Sequence, residues 1–301
     1  KQAVYSSLIA NIANTYYTLL MLDEQLDLSR QTETAWKETV ASTRALMNAG
    51  LANESAVSQM EAAYYQVQSS VLDLQQQISQ VENSLALLLA ETPRSYERGM
   101  LAKQQFPTDL SIGIPVRMLS SRPDVRSAER TLEAAFYGTN AARSAFYPSI
   151  TLSGSAGWTN SVGSMILNPG KFLASAVGSL TQPLFNKGQV VAQYRIARAQ
   201  QEEAALGFQQ TLLNAGSEVN DALTAYQTSQ GKRLLLDKQI ASLQTALQST
   251  SLLMEHGNTT YLEVLTSWQS LLSAQLSQTA NHFTEIQSLI NLYRALGGGQ
   301  E

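Results

Sequence analysis

Cysteine is absent from the 301 residues, which excludes disulfides, thiolate catalysis and Cys-ligated metals while leaving the compartment open. Helix breakers are missing over a long first segment. From Lys1 to Thr92 there is no proline, and Gly50 is the only glycine. That segment reads as two very long helices reversing at Gly50. No run approaches the roughly 18 to 20 apolar residues of a membrane-spanning helix, since the best patch is Leu85 to Ala90. A helical membrane protein is thereby excluded. Charge is sparse and scattered, 20 basic against 24 acidic residues for a net charge of -4. Without a basic stripe, the composition argues against nucleic acid as a partner.

Chemistry-bearing constellations are equally scarce. His256 and His282 stand apart, with no cysteine and no metal-ligand spacing, so they read as surface or seam residues. The methionines read as core filler rather than copper ligands. There is no Gly-rich phosphate loop, Ser-centred elbow or paired-His helix motif. The expectation is a protein that is not an enzyme and holds no cofactor and no metal.

What is present is a repeat. Ser42, Thr43, Met47, Gly50, Gln68, Ser70, Leu85 and Leu89 recur 207 positions later as Ser249, Thr250, Met254, Gly257, Gln275, Ser277, Leu292 and Leu296. Self-similarity at that offset predicts two copies of one long helical hairpin. The length alone would suit about two domains of roughly 150 residues, but the repeat favours one elongated unit. In the first copy Val57, Met60, Tyr64, Val67, Val71, Leu74, Ile78, Val81, Leu85 and Leu88 alternate spacings of three and four, as along a coiled-coil seam. Leu19, Leu22, Leu26, Trp36, Val40 and Met47 mark the facing arm. The second copy carries Leu236, Ile240, Leu243, Leu247 and Met254 before Gly257. After it come Leu262, Leu265, Leu272, Leu276, Phe283, Ile286, Ile290 and Tyr293.

Between the copies the character changes. Residues 93–123, with four prolines and two glycines, read as an irregular connector. Asp124 to Ala145 resumes as helix. Across residues 144–186 only Lys171 is charged. Ile150, Leu152, Ala156 and Trp158 alternate there with serine and threonine, as do Phe172, Ala174, Ala176 and Leu180. Two strands joined by a polar turn from Thr159 to Lys171 are expected. Alternation alone suits a soluble ribbon packed on a helix as well as a barrel strand facing lipid. The near absence of charge favours lipid, because a soluble ribbon exposes Lys or Glu along its edges. Phe146, Tyr147, Trp158, Phe172 and Phe185 would then sit near the membrane interfaces. The outer helix faces, rich in Gln, Ser, Thr and Asn, suit either the wall of an aqueous conduit or an ordinary solvated coiled coil. The organisation expected is a first-repeat hairpin at 1–92, a connector at 93–123, a helix at 124–147 and a β-hairpin at 148–186. A second-repeat hairpin at 187–296 and a tail at 297–301 complete it.

Four motifs resemble one family. They are Arg122-Pro123-Asp124-Val125-Arg126 with Ala128 and Glu129, the run from Ala145 through Pro148 to Ser153, and Gln182-Pro183-Leu184-Phe185-Asn186-Lys187-Gly188. The fourth runs from Gly257 through Asn258, Thr259, Tyr261 and Glu263 to Leu265, with Gln275. In order and spacing they resemble TolC-like outer-membrane efflux channels, the form at Arg122 most resembling the branch that partners resistance-nodulation-division pumps.

The resemblance implies a mostly α fold with a small β part. Antiparallel coiled-coil hairpins in two repeats form an α-barrel in the periplasm, and a transmembrane β-hairpin joins a trimeric β-barrel in the outer membrane. It implies a homotrimer, a periplasmic adaptor (membrane fusion) protein, an inner-membrane pump and outer-membrane lipid as partners. The turns Gly50-Leu51-Ala52 and Gly257-Asn258-Thr259 would be the tips that the adaptor grips. Glu263 would face a closed entrance, with Thr266 where other members place a second acid. A solvated surface glutamate is the alternative. Ile150, Leu152, Trp158, Phe172 and Leu180 would face lipid. The implied activity is gated passive export of drugs or other small amphipathic compounds. A duct for type I protein secretion shares the architecture, and a non-conducting coiled-coil or adhesin stalk is the rival from another class. Lys1 lies inside a helical pattern, so the true N-terminus is expected upstream of it, and the resemblance implies further helices, a first hairpin and the branch's lipid-bearing cysteine there. The given chain alone would supply half of the barrel's strands.

Overall fold

The computed structural model describes residues 2–50, 52–104, 120–158, 161–162, 165–166, 172–182, 185–256 and 259–298. Helix α1 runs Gln2–Asn48 and α2 Glu54–Leu88, followed by a single 3-10 turn at Leu101–Lys103. Helix α3 is Pro123–Ser144, beginning on the proline as a first-turn residue with no need of its N–H. Strands β1 Ser149–Trp158, β2 Ser161–Val162, β3 Met165–Ile166 and β4 Phe172–Thr181 follow. The chain closes with α4, Gln189–Glu255, and α5, Tyr261–Ala295. No helix among the described residues is long and apolar enough to cross a membrane.

The 207-residue offset is reproduced by the helix ends. Asn48, Glu54 and Leu88 bound the first hairpin where Glu255, Tyr261 and Ala295 bound the second. The ends of α2 and α5 also close by the same bonds. Ala90 N–H donates to Leu87 O and Glu91 N–H to Ala86 O, just as Gly297 donates to Arg294 O and Gly298 to Tyr293 O. This pairing satisfies carbonyls that the helix end leaves open, and it requires a left-handed residue after the cap. The second repeat uses Gly297 at φ 80°, whereas the first forces Ala90 to φ 56°.

The molecule divides into two compact units, Lys1–Pro123 with Asn214–Glu301, and Asp124–Leu213. Helix α4 has 67 residues and α5 only 35, so α5 provides a partner for the later part of α4 alone. The division therefore falls inside the segment 187–296 that the sequence suggests is one hairpin.

In the first unit α1 is packed on both sides. Toward α2, Leu19 and Leu22 meet Ile78 and Leu85, and Trp36 meets Met60, Ala63 and Val67. Toward α5, Leu20 packs with Ile286 and with Leu101 of the connector. Helix α5 in turn meets α4 through Leu271, Ala274 and Ile240. The α2 seam follows the expected spacing. That of α5 does not: Leu262 and Tyr293 are 52% and 56% exposed, while Val264, Leu271, Ala274 and Leu292 are buried. Two neighbours widen the covered face and carry polar Thr279, Asn281, Glu285 and Ser288 inside with it. Asn281 donates to Ser229 O at 2.8 Å, and Glu285 lies 3.7 Å from Arg233 across the same seam.

Two arginines fasten the irregular segments. Arg98 of the connector bonds Asp23 on α1 and Glu82 on α2, which also accepts from Ser95. Burial raises the Glu82 carboxyl, but the bonds from Arg98 and Ser95 outweigh it and hold the group below its ordinary range. Arg122, in the first of the four motifs, donates to the Ala295 carbonyl and to Glu218.

In the second unit β1 and β4 pair antiparallel from Ser149↔Thr181 to Trp158↔Phe172. Ser161–Val162 pairs with Met165–Ile166. The connection expected as a plain turn from Thr159 to Lys171 thus contains a second short ladder.

Candidate functional site

The β-hairpin is the first candidate surface. Residues directly opposite in an antiparallel pair share a face, so the register sets Ile150, Leu152, Trp158, Phe172 and Leu180 on one side with Ala156, Ala174 and Ala176. Ser149, Thr151, Ser153, Ser155, Ser175, Ser179 and Thr181 take the other, joined by Leu173 and Val177. Ser155 and Ser175 share a hydroxyl hydrogen bond of 2.8 Å across the strands. Trp158 and Phe172 meet edge to face at 5.5 Å. On the apolar side Ile150 is 81% exposed, Leu152 80% and Leu180 71%. Burying each such side chain is worth roughly 1.5–3 kcal/mol. An unshielded apolar face with no charged residue marks a surface that meets something other than water.

The second candidate is where the two helical reversals meet. The first turns at Gly50, whose φ of 78° is the left-handed geometry that glycine adopts without a Cβ penalty. Asn53 then caps α2, its side-chain oxygen accepting from Ala56 N–H at 2.8 Å. In the second reversal Thr260 takes the cap position with no side-chain bond, and Thr259 Oγ1 instead donates to Glu263. Gly50, Ala52, Asn53 and Thr43 from the first copy, with His256, Thr259, Thr260 and Tyr261 from the second, line one cleft of about 700 Å³. The structure thereby brings Gly50, Ala52 and Thr259 of the expected tip together. Leu51, Gly257 and Asn258 lie outside the described residues.

Glu263 stands exposed in the first turn of α5, where a carboxylate is favoured by the helix dipole. Thr266 is exposed one turn on, its hydroxyl donating to Leu262 O at 2.8 Å. His256, which the sequence suggests is a surface or seam residue, is exposed and hydrogen-bonds through Nδ1 to Leu252 O. Its place in the cleft is not visible in the sequence, because it depends on the first reversal lying alongside. Among the described residues no group of three His, Cys, Asp or Glu is placed to hold a metal ion.

The family described as outer membrane efflux protein matches residues 1–91 and 114–298. The cation efflux system protein CusC of Escherichia coli strain CFT073 is 29% identical over 300 residues, covering 99% of this chain and 65% of its own length. The solvent efflux pump outer membrane protein SrpC of Pseudomonas putida is 31% identical, at 99% and 64% coverage. The chain thus spans less than two thirds of the length of these relatives. A crystal structure of CusC superposes with a TM-score of 0.91 at 29% identity, over 99% of this chain and 70% of that one. The open state of the Neisseria gonorrhoeae MtrE outer membrane channel gives 0.86 at 27% identity, over 100% and 68%. The fold is therefore that of the outer membrane channels, paired helical hairpins of an α-barrel with a β-hairpin belonging to a β-barrel.

Proposed function

The chain belongs to the outer membrane efflux protein family, and on that premise we propose that it forms part of the export duct of a tripartite efflux system. The duct is passive: an inner-membrane pump supplies the energy, and the chain provides a wall rather than a catalyst. The observation that carries this reading is the two-sided hairpin. Its exposed aliphatic face meets outer-membrane lipid and its serine and threonine face meets a wet lumen. Closure of a barrel removes strand edges, which β1 and β4 cannot do by themselves, so a homotrimer completes the wall.

The cleft formed by both reversals is the docking site of a periplasmic adaptor protein. Its contacts are assigned to the tip turns Gly50-Leu51-Ala52 and Gly257-Asn258-Thr259, of which Gly50, Ala52 and Thr259 line the cleft. Glu263, repeated around a threefold axis, forms a carboxylate ring that favours cations at the entrance, with Thr266 leaving that ring weaker than a double one. The cargo is small and amphipathic, in keeping with a passage whose helices present amides and hydroxyls rather than dense charge. The test uses the full-length protein. Outer-membrane fractionation, a detergent-stable trimer and single-channel conductance in planar bilayers are expected together. A water-soluble trimer that forms without detergent and carries no current would instead identify a structural stalk.

A further inference from the structure

The repeat specifies a contact that the chain leaves open. Helix α1 opens the first copy and α5 closes the second, and the two pack antiparallel. Leu20 meets Ile286, Thr279 Oγ1 donates to Glu24 at 3.2 Å, and Trp36 meets Trp268. Exchanging the copies moves each α1 position forward and each α5 position back by 207, which turns this pair into α4 with α2. Glu24 then becomes Gly231, and Thr279 becomes Leu72. On α5, Thr279 is buried and Leu272 packs into the cluster around Trp36. Their counterparts on α2 are bare, with Leu72 66% and Tyr65 62% exposed. Gly231 stands inside α4, where glycine weakens a helix, yet among the described residues nothing lies within 4 Å of where its Cβ would be. Leu234, one turn on, is exposed as well.

We propose that Gly231 is a notch on α4 that receives Leu72 of a second copy of this chain. The α4 edge of one subunit is thereby joined to the α2 edge of the next, by the antiparallel packing that joins α1 to α5 within the chain. The inference rests on the homotrimer reading above and supplies the join that it needs. The repeat identifies the occupant: α5 covers α1, and α2 is the helix built to the pattern of α5 whose equivalent face is open. Because the two edges differ, the contact is heterologous, and such contacts close into rings when the rotation permits. Long helices interlock by setting side chains into gaps between the ridges of the facing helix, and glycine deepens such a gap. Fit replaces polarity here, since the in-chain image of the Leu72 contact is the hydrogen bond from Thr279 to Glu24. Nearer the tip the image of the Trp36 and Trp268 contact is Leu243 with Glu61, and Glu61 is engaged by Arg44. The apolar seating is therefore centred on Leu72.

The test places Leu72→Cys and Gly231→Cys together in the full-length protein, oxidises outer-membrane fractions mildly, and separates them denatured with and without reductant. A disulfide needs Cα atoms within about 7 Å. Linked dimer and trimer that collapse to monomer on reduction are expected from this pair. Either substitution alone should run as monomer, as should Leu72→Cys with Thr245→Cys, an exposed site about four turns farther along α4. Size gives a second readout: Gly231→Leu fills the notch and should reduce the heat-stable trimer, and adding Leu72→Ala should recover it. A trimer by native mass that forms no disulfide between positions 72 and 231 overturns this join and leaves the homotrimer reading intact. Linkage in Leu72→Cys alone would mean that like edges meet, and overturns it too. A wild type that is monomeric in the outer membrane overturns the homotrimer reading and this inference with it.

Discussion

Arg122 donates through Nη1 to the carbonyl of Ala295, 2.9 Å away and the last residue of α5. Its Nη2 reaches Glu218 at 2.8 Å, and the arginine is only 7% exposed. A cation at a helix C-terminus answers the open carbonyls there. The first residue of a family motif thus has a mechanical task, holding the end of α5 against α4 and the entry to α3. Arg122→Met should lower unfolding stability by about 1.5–3 kcal/mol, the range for a hydrogen bond from a charged donor. Glu218→Gln should cost much less, because its carboxylate is half exposed. Urea titration of the two variants distinguishes them, and equal losses would assign the main effect to the ion pair.

The connector clasp should show a defined pH response. Glu82 is held below its ordinary range in the folded state, after burial is offset by Arg98 and Ser95. A lowered folded pKa gives stability that is present above the unfolded value, about 4.3 for Glu. That stability is lost as pH falls through the folded value. The wild-type unfolding midpoint should therefore decline on acidification below about pH 4.3. In Arg98→Met the decline should be shallower and the stability at neutral pH lower, since Asp23 and Glu82 lose their shared partner. Denaturation curves collected across that window provide the comparison.

The two repeats predict a stabilising substitution. Ala90 occupies the left-handed position that Gly297 fills in the second copy, with the same pair of closing bonds. The left-handed conformation costs an L-residue about 1–2 kcal/mol, whereas glycine adds about 0.4–1 kcal/mol of unfolded-state entropy. Ala90→Gly should accordingly gain about 0.5–1 kcal/mol, and Gly297→Ala should lose a similar amount. Thermal melts of both variants read the signs directly. A destabilised Ala90→Gly would mean that the methyl group contributes packing that outweighs the backbone strain.

The α2 seam was legible in the sequence because α2 buries one narrow stripe against α1, which matches a period of three and four. Val57, Met60, Val67, Val71, Ile78 and Leu85 are all buried. Helix α5 was not, because it lies between α1 and α4. Its covered arc then takes in Thr279, Asn281, Glu285 and Ser288, residue types that apolar periodicity discards. The tilted contact of Trp36 with Trp268, 6.4 Å between ring centroids, joins α1 to α5 for the same reason and has no counterpart in the repeat pattern. At the tip, Gly50 was legible from its backbone requirement alone. The cleft and the ring orientation of His256 arise from tertiary juxtaposition and a side-chain bond that spacing does not encode. Arg98 was likewise hidden, since its partners Asp23 and Glu82 belong to different helices.

Glu263 offers a test of the entrance reading that leaves the fold untouched. It is exposed, so Glu263→Gln removes charge with little effect on stability. In planar bilayers the full-length variant should lose cation selectivity and block by divalent cations, as expected when a ring of carboxylates becomes neutral. Selectivity and block equal to the wild type would make Glu263 a solvated surface residue, its oxygen serving only Thr259.

The two faces of the hairpin should respond to charge in opposite ways. Leu152 is 80% exposed on the apolar side, and Ser153, the next residue, lies on the hydroxyl side. An arginine on the lipid face of a barrel costs about 2–4 kcal/mol near the bilayer midplane, while lumen positions tolerate charge. Leu152→Arg should therefore reduce outer-membrane assembly of the full-length protein, measured as heat-stable trimer in the membrane fraction. Ser153→Arg should assemble normally and shift conductance or ion selectivity instead. The comparison separates orientation from general sensitivity to charge, because the substitutions differ by one residue along β1 and by a whole face of the sheet. Loss of assembly in Ser153→Arg with retention in Leu152→Arg would reverse the assignment of lipid and lumen, and with it the conduit built on that assignment.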